Sequence, residues 1–314
     1  ILRWTRLQLR RTMAFSSLRA LIGGGGGGGG GGNPYAIFGF GTTGSNVSLT
    51  NKVDNTGTVA TDTTGVGTAR NALAAAGYGS DKAIFGYGYT SGYVSLTNLV
   101  SSAGVVATDT TGVGSARGYL GAAGYGSDKA IFGFGTDGSF FSLTNLVSSA
   151  GVVATDTAGV GTGREGGVAA GYGSDKAIFG YGYTSGYVAI TNLVSSAGVV
   201  ATNTTGVGSA RAYLAAAGYG SDKAIFGYGS TGSNVSITNL VSSAGVVATD
   251  TTGVGTVRQA LAAAGYGSDK AIFGYGTTGS ASSLTNLVSN AGVVATDTTG
   301  VGTARQFLAA ASYG

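Results

Sequence analysis

Residues 265–311 read GYGSDKAIFGYGTTGSASSLTNLVSNAGVVATDTTGVGTARQFLAAA, and this stretch decides the fold because the chain repeats it. Its arginine recurs as Arg70, Arg117, Arg164, Arg211, Arg258 and Arg305, each 47 residues after the last. Its phenylalanine recurs as Phe38, Phe85, Phe132, Phe179, Phe226 and Phe273 with the same spacing. A fixed period of this size is the mark of a repeat architecture, in which each unit buries its apolar face against its neighbours. The repeated region covers residues 33–314, which is 282 residues or six units. The first unit lacks the run LAAAGYG before its AIFG, and the chain ends on an equivalent run, LAAASYG, at residues 308–314. The two ends are complementary halves of one unit. A ring needs that arrangement, whereas an open solenoid calls for atypical caps.

Within a unit, four short segments lie between turn residues. In residues 73–110 they are LAAAGY (73–78), KAIFGY (82–87), YVSLTNLV (93–100) and VVATDT (105–110), separated by GSD, a variable loop and SSAG. Runs of four to eight residues bounded by Gly, Ser and Asp read as strands. The run VRQALAAAG at 257–265 has helix propensity, but its counterpart at 164–172 contains Gly166 and Gly167, which are costly inside a helix. The small residues suit an innermost strand crowded against an axis. The expectation is an all-β, closed six-bladed β-propeller of four-stranded, 47-residue blades, with the C-terminal strand completing blade one. Ile84, Phe85, Leu96, Leu99, Val105 and Val106 are the expected inter-blade core.

The segment before the repeats is different in kind. Residues 1–22, ILRWTRLQLRRTMAFSSLRALI, carry Arg3, Arg6, Arg10, Arg11 and Arg19 and no acidic residue. They read as a basic tail or anchor, with Met13 a candidate start, and no run in them is long enough to span a bilayer. Residues 23–32 are ten glycines, expected to act as a linker with a span of roughly 17 Å. The formal charge of +4 therefore divides into +5 before the repeats and −1 within them. A nearly neutral repeat domain argues against nucleic acid as a partner. The expected partners are a protein or glycan on the variable face, and a larger assembly through the tail.

The chain has no Cys and no His. Thiolate metal sites, disulfides and the commonest acid–base group are thus excluded. No cofactor is implied, and no dinucleotide fingerprint or calcium-loop pattern is present. Glu165 is the sole glutamate, and the aspartates recur in register, which does not suit the asymmetry of a carboxylate pair in a glycosidase. The expected role is non-enzymatic.

The order of segments resembles the kelch repeat. Arg258 is followed by LAAAGYG; SDKAIFGYG ends at Gly276; VSNAGVVATDTTG completes the unit before Arg305. Two features depart from kelch. Its double glycine is split into Gly86, Tyr87 and Gly88, and Val106 or Ala107 stands where kelch has an outer-strand Trp. The resemblance implies a propeller serving as a protein-binding platform; some kelch relatives bind sugars, and the copper oxidases among them need Cys and His ligands that this chain lacks. The wording AIFGYG, TNLV and GVVATDTTGVGTAR is also similar to repeats in virion structural proteins of marine tailed phages, which implies a structural or receptor- and glycan-recognition role on a virion or extracellular surface. The alternatives are a kelch-type interaction scaffold and a β-solenoid fibre.

Positions that vary mark the candidate site. The loop after the second segment reads TTGSNV, YTSGYV, TDGSFF, YTSGYV, STGSNV and TTGSAS in the six units, and the residues after each Arg read NAL, GYL, EGG, AYL, QAL and QFL. Strand direction puts both sets on one face, here called the upper face. Candidate ligand-binding residues are Tyr89, Tyr93, Tyr119, Asp137, Phe140, Phe141, Tyr183, Tyr187 and Tyr213. Exposed aromatics at such a mouth suit sugar stacking or a protein hot spot. The six arginines are expected as a ring at the channel mouth, either holding an anion or, as favoured, pairing structurally with Asp62, Asp109, Asp156, Asp250 and Asp297, where Asn203 takes the sixth place.

Overall fold

The structure is a computed structural model, and it describes residues 33–314. The expected tail at 1–22 and linker at 23–32 lie outside the described residues. Six similar antiparallel sheets form. The first is built from β1 (Tyr35–Gly39), β2 (Thr50–Val53) and, from the far end of the chain, β18 (Ala309–Tyr313). The second holds β3 (Ala74–Tyr78), β4 (Lys82–Gly86) and β5 (Thr97–Val100), and the third β6 (Gly121–Tyr125), β7 (Lys129–Gly133) and β8 (Thr144–Val147). The fourth holds β9 (Val168–Tyr172), β10 (Lys176–Tyr183) and β11 (Tyr187–Val194). The fifth and sixth hold β12 (Ala215–Tyr219), β13 (Lys223–Gly227), β14 (Thr238–Val241), β15 (Ala262–Tyr266), β16 (Lys270–Gly274) and β17 (Thr285–Val288). The LAAAGY segment is a strand, not a helix.

The expected closed six-bladed propeller of four-stranded blades is corrected here. Each sheet has three strands, no sheet closes into a barrel, and hydrogen-bonded ladders do not run from one sheet to the next. The fourth segment touches the third strand only at isolated bridges, Thr97↔Thr110 and Val100↔Val106 in the second sheet. The physical reason lies in Asn98. Its buried side chain donates to the Ala107 carbonyl (3.0 Å) and to Asp109 Oδ1 (2.8 Å), taking over from the backbone between the two bridges, whose registers differ by one residue. The arrangement is propeller-like in its repetition. β18 pairs with β1 from Tyr35↔Tyr313 to Gly39↔Ala309, so the two ends of the repeat region complete one sheet.

Neighbouring sheets are joined mainly by side chains. Ile84 and Phe85 are fully buried, as expected, and Leu99 and Val106 pack partly buried against such clusters, but Val105 is 62% exposed. It precedes the irregular stretch of the fourth segment and faces solvent, as do Val152, Val199, Val246 and Val293. The split Gly-aromatic-Gly has a clear cause. A Cβ on Gly86 would lie 2.7 Å from the Phe132 ring of the next sheet, and one on Gly88 2.6 Å from the Asn71 carbonyl. Between them Tyr87 adopts φ 64°, a left-handed conformation costing roughly 1–2 kcal/mol. Its ring packs edge-on against Phe132 (5.1 Å) under the Arg117 guanidinium (4.4 Å), and its hydroxyl donates to the Val113 carbonyl (3.1 Å). A desolvated cation–π contact is worth about 2 kcal/mol, enough to offset that strain.

Candidate functional site

The six arginines do not line a mouth. Each is buried between sheets, with its guanidinium over the aromatic ring of the preceding sheet. Arg211 shows the pattern: Nε donates to the Tyr228 carbonyl (2.9 Å), Nη2 to Asn239 Oδ1 (2.7 Å) and Nη1 to the Ser209 carbonyl (3.2 Å), with Asp250 3.9 Å away. Asp250 in turn accepts from Ser209 N and Oγ. Partial burial alone would raise these aspartates, but bonds from hydroxyl, Asn and backbone donors, and the nearby Arg, hold Asp62, Asp109, Asp156, Asp250 and Asp297 below the usual carboxylate range. Asn203 replaces the carboxylate beside Arg164, accepting from Thr162 N and donating to its hydroxyl. Burial pulls Arg164 down to about 10, as it does Arg70 despite the opposing Asp109. Arginine there is still charged at neutral pH. The network is structural.

Two residues beyond each arginine the chain reaches the axis. There the backbone N–H groups of Ala72, Tyr119, Gly166, Tyr213, Ala260 and Phe307 each donate to the carbonyl of the equivalent residue one unit back, at 2.7–2.9 Å, in a cycle of six. A second cycle ties the lower turns: Gly79, Gly126, Gly173, Gly220, Gly267 and Gly314 donate to the carbonyls of Asp128, Asp175, Asp222, Asp269, Pro34 and Asp81. The side chains of the upper cycle alternate small and aromatic. Tyr119, Tyr213 and Phe307 meet edge to face at 5.5–6.0 Å and cap the axis. Narrow cavities of about 90, 80 and 90 Å³ lie along the axis, the lowest lined almost wholly by Ala and Gly, the next largely by Leu and Ala, and the uppermost largely by Leu and the three rings themselves. These are far below the roughly 300–1,000 Å³ of a drug-sized ligand site. The axis is therefore filled, with no room for a ligand of that size.

On the rim the residues after each Arg lie beside the variable loops, as strand direction predicts. Isolated bridges join Asn71↔Tyr89, Gly118↔Thr136, Glu165↔Tyr183 and Ala212↔Ser230. Tyr89 and Tyr93 pack at 5.2 Å, Tyr183 and Tyr187 at 5.4 Å, and Phe140 reaches Tyr183 across sheets at 6.3 Å. Tyr89 and Phe140 are 36% and 43% exposed. Together they make an aromatic arc over sheets two to four. Tyr119 and Tyr213 belong to the axial cap instead. Phe141 is half-buried, with its carbonyl accepting from Arg164 N. Asp137 is exposed and accepts from Ser139 N within its own turn. Some variable positions serve neighbouring sheets: Asn46 donates to the Tyr89 and Thr90 carbonyls, and Asn234 to that of Thr277.

Glu165 was not among the expected site residues, yet it sits between arc and cap. Its Oε1 accepts from the Tyr213 hydroxyl (3.0 Å), and its backbone exchanges hydrogen bonds with Tyr183 (2.8 and 3.0 Å). Burial and the Glu165 carboxylate push the Tyr213 hydroxyl up. Phe307 was missed too. Its signal was present as a two-unit alternation of small and aromatic residues, visible only when the second residue after each Arg is read around the cycle. Asn71 Oδ1 is buried on this face without a partner among the described residues. Among the described residues no group of three or more His, Cys, Asp or Glu could hold a metal ion, and no helix is long and apolar enough to cross a membrane. No protein-family model matches this chain, and no curated protein matches it.

Proposed function

We propose that this chain is a non-catalytic protein-interaction scaffold of the kelch type, engaging its partner through the aromatic arc of Tyr89, Tyr93, Phe140, Tyr183 and Tyr187. The observation that carries the reading is the separation of constant and variable residues. The buried Arg–Asn network is the same in every sheet, while aromatic side chains, Tyr89 and Phe140 exposed and Tyr93, Tyr183 and Tyr187 half-buried, gather on one sector of the face where the units differ. Clustered aromatics with small polar neighbours are the composition of interface anchors. A glycan-binding head on a virion or extracellular surface would use the same arc. The rings meet edge to face, however, and offer few flat platforms for a sugar, which favours a protein partner.

Peptide display tests this directly, since the library itself supplies the binding partners. Libraries panned on the full chain should yield peptides that compete with one another and lose binding to a Phe140→Ala/Tyr183→Ala variant of unchanged melting temperature. Failure to enrich any peptide, or equal binding to that variant, would overturn the scaffold reading; retention on a glycan array would replace it with sugar recognition.

A further inference from the structure

We infer that the centre formed by Glu165 and the aromatic arc docks the basic N-terminal segment, residues 1–22, of a second copy of this chain, joining copies head to tail. The inference rests on reading the upper face as a docking surface and names its occupant.

The first support is the charge pattern. Ten aspartates lie within 4 Å of an arginine or lysine. Glu165 has no such cation; its one side-chain donor among the described residues is the Tyr213 hydroxyl. Asp137, on the adjoining loop, has none either. The arginines of the described residues are all buried. Their lysines lie on the lower side: five pair with the Asp of their own turn, and Lys52 donates to the Ala103 carbonyl in a lower turn. The upper face is thus anionic and aromatic, with no exposed cation of its own among the described residues. A carboxylate beside tyrosine rings suits a guanidinium, which bonds the oxygens in its plane and stacks on the rings.

The second support is complementarity within the chain. Residues 1–22 carry Arg3, Arg6, Arg10, Arg11 and Arg19, the aromatic Trp4 and no acid. Asn33, the first described residue, lines the lower axial cavity, on the side away from Glu165. A path to its own upper face must go out past four segments, over the edge and back. At about 4.8 Å per segment and 3.3 Å per strand residue, that is about 55 Å. Ten glycines span at most about 36 Å; the chain before them adds enough to cover the rest, so distance favours a nearer face without barring this one. The upper face of a copy stacked beneath is nearer. Such a contact joins two different surfaces, so it propagates instead of closing as a twofold dimer would.

Sedimentation velocity of the full chain over a range of concentrations tests this. The sedimentation coefficient should rise with concentration and return to the monomer value in high salt. Glu165→Gln, which keeps an acceptor for Tyr213, should weaken association about tenfold without moving the melting temperature. Replacing the five tail arginines with Gln should do at least as much, and a free peptide of residues 1–22 should compete association away. A concentration-independent monomer, including one whose tail folds back on its own upper face, would overturn the inference. So would association indifferent to both variants. If displayed peptides bind the arc but the 1–22 peptide does not, the inference falls and the scaffold reading stands; if neither binds, both fall.

Discussion

Arg211 and Tyr213 are two residues apart in one turn, yet their positions obey opposite rules. The arginine is the same in all six units, and the residue two places on alternates small and aromatic. The arginine sits between one sheet and the next, a pairwise problem posed identically six times, so one solution serves everywhere. The later position sits on the axis, a space shared by all six units at once. Three rings meet there edge to face, and a Cβ on Gly166 would already lie 2.9 Å from the Tyr213 ring. Strict repetition is favoured where contacts are between neighbours; on the axis it holds for small residues, as in Ala75, Ala122, Ala169, Ala216, Ala263 and Ala310, and fails for rings, which six units at once would overfill.

The comparison can be broken at the arginine first. Arg211→Ala would strip partners from Asn239, Asp250 and the Tyr228 carbonyl, and should cost about 3–5 kcal/mol, read from the urea midpoint. A loss near zero would mean that the interface does not depend on the network. On the axis, Ala260→Phe should cost about 1–3 kcal/mol by overpacking, and adding Phe307→Ala should recover most of it, since three rings are restored. An unchanged stability for the single variant would show that the cap has room to spare.

Asn203→Asp sharpens the arginine side. It places a carboxyl beside Arg164 and should stabilise by about 0.5–1 kcal/mol at pH 7. Its counterparts have lowered pKa values in the folded state. The gain is therefore present above the unfolded carboxyl value of about 3.9 and disappears as pH falls through the folded value. Thermal melts of both proteins at pH 7 and pH 3 would show it; a gain that persists in full at pH 3 would contradict the ionic origin. The smallest effect concerns the ring beneath that arginine. Tyr87, Tyr181, Tyr228 and Tyr275 each donate a hydroxyl to a link carbonyl, which Phe134 cannot do. Phe134→Tyr should bring its hydroxyl to the Val160 carbonyl and add about 0.5 kcal/mol, measurable as a small rise in melting temperature.

Much of the architecture is legible in the residues because it is local and repeated. The 47-residue period marks the unit, the Gly, Ser and Asp turns bound the strands, and the complementary ends anticipate the pairing of β18 with β1. The fourth segment, VVATDT, has the composition of a strand, but its irregularity comes from the side chain of Asn98 in the preceding strand, which no composition reveals. Val105 shares that apolar pattern and is nevertheless exposed. The aromatic arc shows itself as loop variation. Glu165 stands out in the sequence only as a composition oddity; its place between Tyr183 and Tyr213 comes from the packing of three units.

By itself, then, the sequence determined the repeat, the strand order within a unit and the face on which units differ, because these follow from period, turn chemistry and chain direction. The tertiary structure alone decided that each sheet stops at three strands, that the arginines are buried, that three rings cap the axis and that one carboxylate is left among tyrosines without a cation among the described residues. Those outcomes depend on which side chains from different units converge in space, and no single unit contains that information.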